Sequence, residues 1–166
     1  KDSKGIAVFD TKGRRNTLKY YFDVLDTHEG YYGSRPVPIW QMNERYEQAV
    51  IERLSDRFGG AENGGLAEVL METAKNAVED NLQDYTAQLK GCVKGSFLEE
   101  LDDYNIEVMY RELAVGSVAY MLMTRCGIDA AEYFDREDFG AIVNFNTPQT
   151  LNAIGIATSD IAEMAL

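Results

Sequence analysis

The sequence predicts an α+β fold in which an N-terminal antiparallel hairpin or small sheet precedes a mainly helical body. Over the first forty residues, short runs rich in β-branched and aromatic side chains alternate with turn formers. After Trp40, apolar residues recur at helical spacing almost to the end. No internal repeat, low-complexity tract or long linker interrupts the chain. One domain over residues 1–166 is therefore expected, with a β part at about 5–40 and a helical part at about 43–166.

The first strand is expected at Ile6, Ala7, Val8 and Phe9. The second covers residues 18–25, where Leu18, Tyr20, Phe22 and Val24 share a face. The basic loop Lys12, Gly13, Arg14, Arg15, Asn16 joins them. Gly30, Gly33, Pro36 and Pro38 mark irregular chain before Ile39 and Trp40. Asn43 can cap a helix reaching Phe58, with Tyr46, Val50, Ile51, Leu54 and Phe58 on one face. Gly59 and Gly60 stop it, and Asn63, Gly64 and Gly65 form a joint.

A long helix follows at about 66–89. Its expected buried stripe is Leu66, Leu70, Ala74, Ala77, Val78, Leu82, Tyr85 and Leu89, and Gly91 and Gly95 break it. Ser96 and Glu99 read as a capping box opening a helix through Met109, Leu113, Ser117, Tyr120, Met121 and Thr124 to Cys126 and Gly127. Gly116 and Ser117 suit close approach of another helix. Short helices are expected at 132–134 and 136–143, then one capped by Thr147 with Pro148 in its first turn and interrupted at Gly155.

Composition excludes more functions than it suggests. The 166 residues, 45% hydrophobic and 11% aromatic, can bury roughly two-thirds of their unfolded surface, as a globular domain does. No apolar run approaches the ~20 residues that span a bilayer, and no signal-peptide pattern opens the chain, so no membrane association is expected. Cys92 and Cys126 form no CxxC. They read as reduced apolar fillers in a cytoplasmic protein, with a disulfide between them as the alternative. His28 is the only histidine, which removes two-histidine zinc hydrolases and His-dependent Ser or Cys nucleophiles. The net charge of −12 repels phosphates, so direct nucleic-acid binding is not expected. The chain opens at Lys1 without an initiator Met and stops at Leu166 inside a helix-like run, which predicts a module excised from a longer polypeptide.

Two separated stretches resemble one family. Phe22, Asp23 and Thr27, followed by Pro38 and Trp40, are similar to the FDxxxT and PxW elements of ArdC/LtrC-type domains of conjugative and other mobile-element proteins. The run from Arg111 to Tyr120, followed by Gly127 and Asp129, is similar to their E-x-x-A-x-S-V-A-Y and G-x-D helix. The resemblance covers about residues 18–130 and implies a zincin-like fold. In zincin-like members an HExxH helix lies between these stretches, with an acidic third ligand on the later helix. By that comparison Met71, Glu72 and Lys75 stand at the His, Glu and His places, and Glu112 at the third-ligand place.

A thioether and an ammonium do not make a zinc site, so no cofactor or metal is expected and no catalytic residue is assigned. Lys75 could replace the metal by pairing with Glu72 or Glu112. Alternatively Met71 is core and Lys75 a solvated helix residue. Two carboxylates could still hold a weak hard cation.

Other clusters have bland alternatives. Asp10, Asp23, Asp26, His28 and Glu29 could hold a metal or supply a base, or could be turn residues. Glu99, Glu100, Asp102 and Asp103, with Trp40, could offer a contact surface to a basic partner. The same acidic run suits a helix start, where the dipole favours negative charge. Lys12, Arg14 and Arg15 beside Tyr20, Tyr21, Tyr31 and Tyr32 could stack a single strand, or form an ordinary loop.

The function these features predict is a non-catalytic zincin-like structural or protein-recognition module of a mobile-element protein. Its partner is another protein or another part of the same polypeptide. The alternatives are an acidic DNA mimic that occupies a nuclease or methylase, and a weak divalent-metal hydrolase using Glu72 and Glu112.

Overall fold

The computed structural model describes residues 5–10, 17–21, 42–60 and 64–165. The chain divides into two compact units, Lys1–Trp40 and Gln41–Leu166. Together they carry the expected α+β composition, a two-stranded antiparallel sheet and then a helical body.

In the first unit β1 (Ile6–Asp10) pairs antiparallel with β2 (Thr17–Tyr21), in register from Ile6 opposite Tyr21 to Asp10 opposite Thr17. The alternating β-branched and aromatic residues explain the pairing. Phe22, Val24, Asp23, Asp26, Thr27, His28 and Glu29 lie outside the described residues. So do Lys12, Arg14, Arg15, Gly30, Tyr31, Tyr32, Gly33, Pro36, Pro38, Trp40 and Asn63.

In the second unit four helices form the body: α1 (Glu44–Phe58), α2 (Leu66–Lys90), α3 (Asp103–Arg125) and α4 (Pro148–Ala165). Helix α2 is central and packs against α1, α3 and α4. Its stripe lies where the spacing placed it, with Tyr85 only partly covered, and Val69 and Thr73 extend it. Val69, Leu70, Ala74, Ala77 and Val78 are at most 1% exposed. Burying each of the larger aliphatic side chains contributes about 1.5–3 kcal/mol. The alanines let neighbouring helices approach.

Helix ends follow local chemistry. Asn43 Oδ1 accepts from the Arg45 amide at 3.0 Å to start α1. Gly59 ends it at φ +72°, its amide donating to Ser55 O. Asn76 of α2 donates to Phe58 O at 2.7 Å, fastening the end of α1 to α2. Of α1 only Leu54 is fully buried, while Tyr46, expected on the inner face, is exposed under the Arg45 guanidinium. Gly127, at φ +78°, closes α3, with the Ile128 amide donating to Met123 O as in a Schellman turn.

Three expectations are corrected. The helix expected from Ser96 is two elements. Ser96 caps only a 3₁₀ turn, Phe97–Glu100, through the Leu98 amide. Glu99 reaches the Gly95 amide rather than that of Ser96, and Asp102 starts α3 afresh, accepting from Asn105 N at 2.8 Å. Leu101 is extended, because the fully buried Leu98 draws the turn into the core before α3 can begin.

The buried face of α3 runs through Ile106, Tyr110, Leu113, Ala114, Val118 and Leu122. That is about one position from the expected row, which leaves Tyr120 and Thr124 exposed. Helix α3 touches α2, α4 and the 3₁₀ segment Glu137–Asn144, so apolar residues are needed on several sides. Gly155 does not interrupt α4, which is continuous from Pro148 to Ala165 and is started by Thr147 Oγ1 accepting from Thr150 N. One glycine costs only about 1 kcal/mol in a helix, and buried Ile154, Ala157 and Ile161 outweigh it. At Gly116, as expected, another helix comes close: the Phe139 ring of the 3₁₀ helix Glu137–Asn144.

Two outcomes follow for stability. Gly155 is exposed, and an added Cβ would meet nothing within 4 Å. Gly155→Ala should therefore raise the unfolding free energy by about 0.5–1 kcal/mol in urea titration. Tyr110 is 1% exposed and its hydroxyl finds no partner among the described residues. Burial, with a smaller contribution from Tyr85, raises its phenol above the usual tyrosine range. Tyr110→Phe should be neutral or stabilising by about 1 kcal/mol. The unfolded phenol ionises near pH ~10 while the folded one stays protonated, so the native chain loses stability as pH rises beyond that point. Tyr110→Phe should show a shallower alkaline loss in the same titration.

Candidate functional site

Three of the positions that the resemblance assigns to a metal centre, Met71, Glu72 and Lys75, lie on the solvent side of α2. Met71 is 42% exposed, so it is not core. It lines a shallow cavity of about 540 Å³ with Gly59, Gly60, Glu68, Glu72 and Asn76. Lys75 Nζ sits 3.2 Å from Glu72 Oε1, one helical turn away. Both side chains are substantially solvated, which limits the pair to a few tenths of a kcal/mol. Of the two candidate partners for Lys75, the structure selects Glu72.

Glu112 lies exposed on α3 and makes no hydrogen bond or ion pair among the described residues. Its neighbour Arg111 reaches Glu79 at 3.0 Å, one turn beyond Lys75, and Glu107 at 3.0 Å. Arg111–Glu79 and Lys90–Asp103, the latter at 3.2 Å, bridge the antiparallel helices α2 and α3, while Arg111–Glu107 lies within α3. The structure thus joins Glu72 to Lys75 and places Met71 in a cavity with Glu72, while Glu112 bonds to none of them. The donor types do not fit zinc, since a thioether is a poor ligand and an ammonium repels a dication. No three His, Cys, Asp or Glu side chains among the described residues form a group that could hold a metal ion.

The acidic run has structural duties. Asp102 caps α3, Glu99 accepts from the Gly95 amide at 2.7 Å, and Asp103 pairs with Lys90. Glu100 is exposed. Trp40, the remaining residue of that proposed surface, is outside the described residues.

Two neighbouring cavities escaped the reading of the sequence. The first, about 510 Å³, has Glu44, Glu47 and Glu68 on its walls, with Leu66, Ile128 and Tyr133. The second, about 530 Å³, is lined mainly by Tyr120, Met121, Phe134 and Phe139, with Asp135 and Arg136 at its polar side. Its three rings touch one another, with centroids 5.9–6.2 Å apart in edge and tilted packing. Tyr133 and Phe134, adjacent in sequence, belong to different cavities. The available signal was the aromatic spacing at 133, 134 and 139 between two glycines, Gly127 and Gly140, which mark a loop folded back on α3.

Both cysteines are free thiols. Burial raises the Cys92 thiol, and burial raises Cys126 against a smaller opposing effect of Arg125. Compared with family profiles, curated proteins and solved structures, the chain matches none.

A raised thiol is less ionised at neutral pH than free cysteine, so native alkylation should be slow and should accelerate only above the usual thiol range. Iodoacetamide labelling followed by mass spectrometry should show Cys126 protected until the protein is unfolded. Rapid labelling at neutral pH would contradict that burial.

Proposed function

We propose that this chain is a non-catalytic recognition module, a zincin-like domain of the ArdC/LtrC type in which an ammonium stands where such domains hold a metal. The observation that carries this reading is Lys75 Nζ at 3.2 Å from Glu72 Oε1. Its cation is covalently part of the chain and is matched to the one carboxylate beside it. The chemistry left there is charge pairing, not activation of water. The module would sit in a mobile-element protein, in the reducing cytoplasm, which two free thiols support. No helix of the described residues is long and apolar enough to cross a membrane.

The phosphate-mimic alternative draws less support. Glu79, Glu107, Asp102 and Asp103 are tied to Arg111, to a helix start and to Lys90, rather than set out as free rows. The hydrolase alternative needs Glu72 and Glu112 on one cation, and Glu72 instead faces Lys75.

The test restores the missing ligands. The native chain should show no rise in melting temperature with Zn²⁺, Mn²⁺ or Mg²⁺. Met71→His with Lys75→His should acquire zinc binding, and adding Glu112→Gln should weaken it by at least about an order of magnitude. If zinc stabilises the native chain, the non-catalytic reading fails. If Glu112→Gln has no effect in the restored variant, the zincin-like reading fails.

A further inference from the structure

We infer that the paired cavities flanking Tyr133 and Phe134 are a docking surface for a basic peptide segment of a partner protein. The segment would place a Lys or Arg side chain in one cavity and an apolar side chain in the other. This assignment rests on the recognition-module reading and supplies its partner.

The two cavities differ in their linings. The first has three glutamates, an aromatic ring and an apolar floor, with no Lys or Arg among its lining residues. The Glu68 carboxylate is partly engaged by the Gly65 amide at the start of α2. Glu44 and Glu47 lie one turn apart on α1 and make no hydrogen bond or ion pair among the described residues. A cationic side chain with an aliphatic stem fits that combination, its stem on Leu66 and Ile128 and its head among the carboxylates. The three carboxylates disfavour an anion there, although Gly65, Leu66 and Ala67 bring the amide end of α2 to the same cavity.

The second cavity is apolar on most of its lining, and Tyr120, Phe134 and Phe139 give it a wall of ring faces and edges. Its surroundings are acidic as well. Residues 129–139 carry Asp129, Glu132, Asp135, Glu137 and Asp138 against the single cation Arg136. The Asp135 carboxylate accepts from the Glu137 amide at 2.7 Å, and Asp138 accepts from the Asp135 amide at 2.8 Å. These bonds hold the loop, in which Asp135 lines the cavity.

An apolar anchor in a ring-lined pocket beside an electrostatic contact is the usual anatomy of a peptide hot spot. The two cavities adjoin along one stretch of chain, with Ile128 and Tyr133 lining the first and Ala131, Phe134, Asp135 and Arg136 the second. The acidic field of the whole chain steers a basic partner toward this face and repels an acidic one.

The experiment selects from a library of displayed short random peptides against the intact chain. Two variants run in parallel, Glu44→Gln with Glu47→Gln, and Tyr120→Ala. The first alters only surface charge, so it stays informative if the second loses stability; melting curves check both. The expected result is enrichment of peptides pairing Lys or Arg with an aromatic or aliphatic residue. Their affinity should fall at least about fivefold in each variant, and the charge contribution should fade with added salt. Enrichment of peptides of other composition, unaffected by either variant, overturns this surface while leaving a recognition module in place. A concentration-dependent dimer abolished by Tyr120→Ala shows that a second copy covers this face, and overturns the peptide assignment. No enrichment at all removes both the surface and the module reading.

Discussion

Helix α2 is flanked by three other helices, and the rest of the helical body depends on the face it buries against them. It takes α1, α3 and α4 against itself, and its small residues Ala74 and Ala77 set how near they come. Its exposed side carries the strip with Met71, Glu72 and Lys75, polarised by one weak ion pair, and further along Glu79, Asp80, Gln83 and Asp84. Substitutions within this strip should therefore cost the fold little. None of its side chains contributes to the fully buried core.

Open cavities on this scaffold gather where packing is looser. The loop after α3 leaves the left-handed turn at Gly127 and returns along α3 through the 3₁₀ segments Ala130–Glu132 and Glu137–Asn144. Short 3₁₀ pieces cannot bury a continuous face as an α-helix does. Phe134 and Phe139 are accordingly only partly covered, and their rings line open space beside Tyr120. Aromatic side chains placed this way are stable enough to persist and exposed enough to bind.

Legibility followed the strength of the periodic signal. Helix α2 was readable to within a residue because its apolar positions form one uninterrupted stripe with glycine at both ends. Helix α3 was readable as a helix but not in its facing. Met, Leu, Val and Ala occur on nearly every side, so several rows compete and only the tertiary neighbours choose among them. The break at Leu101 was invisible, since Ser96 and Asp102 are both good caps and nothing local ranks them. Phe145, fully buried, belongs to no periodic segment and could not be assigned to the core. The candidate metal positions were legible only by resemblance. The cavities were not legible, because they join α1, the start of α2, α3 and the following loop, which are distant in sequence.

Helix α1 is held by a single fully buried residue, Leu54, by half-buried Val50, Ile51 and Phe58, and by the Asn76 side chain at its last turn. So thin an attachment makes it the cheapest part of the helical body to detach, in partial openings that leave α2, α3 and α4 closed. Its amide protons would then exchange with solvent well before those of α2. Since α1 carries Glu44 and Glu47, such an excursion would carry away one wall of the acidic cavity and close it again on recoil. Whatever lodges there would brace the helix, and occupancy would register as slower exchange along α1.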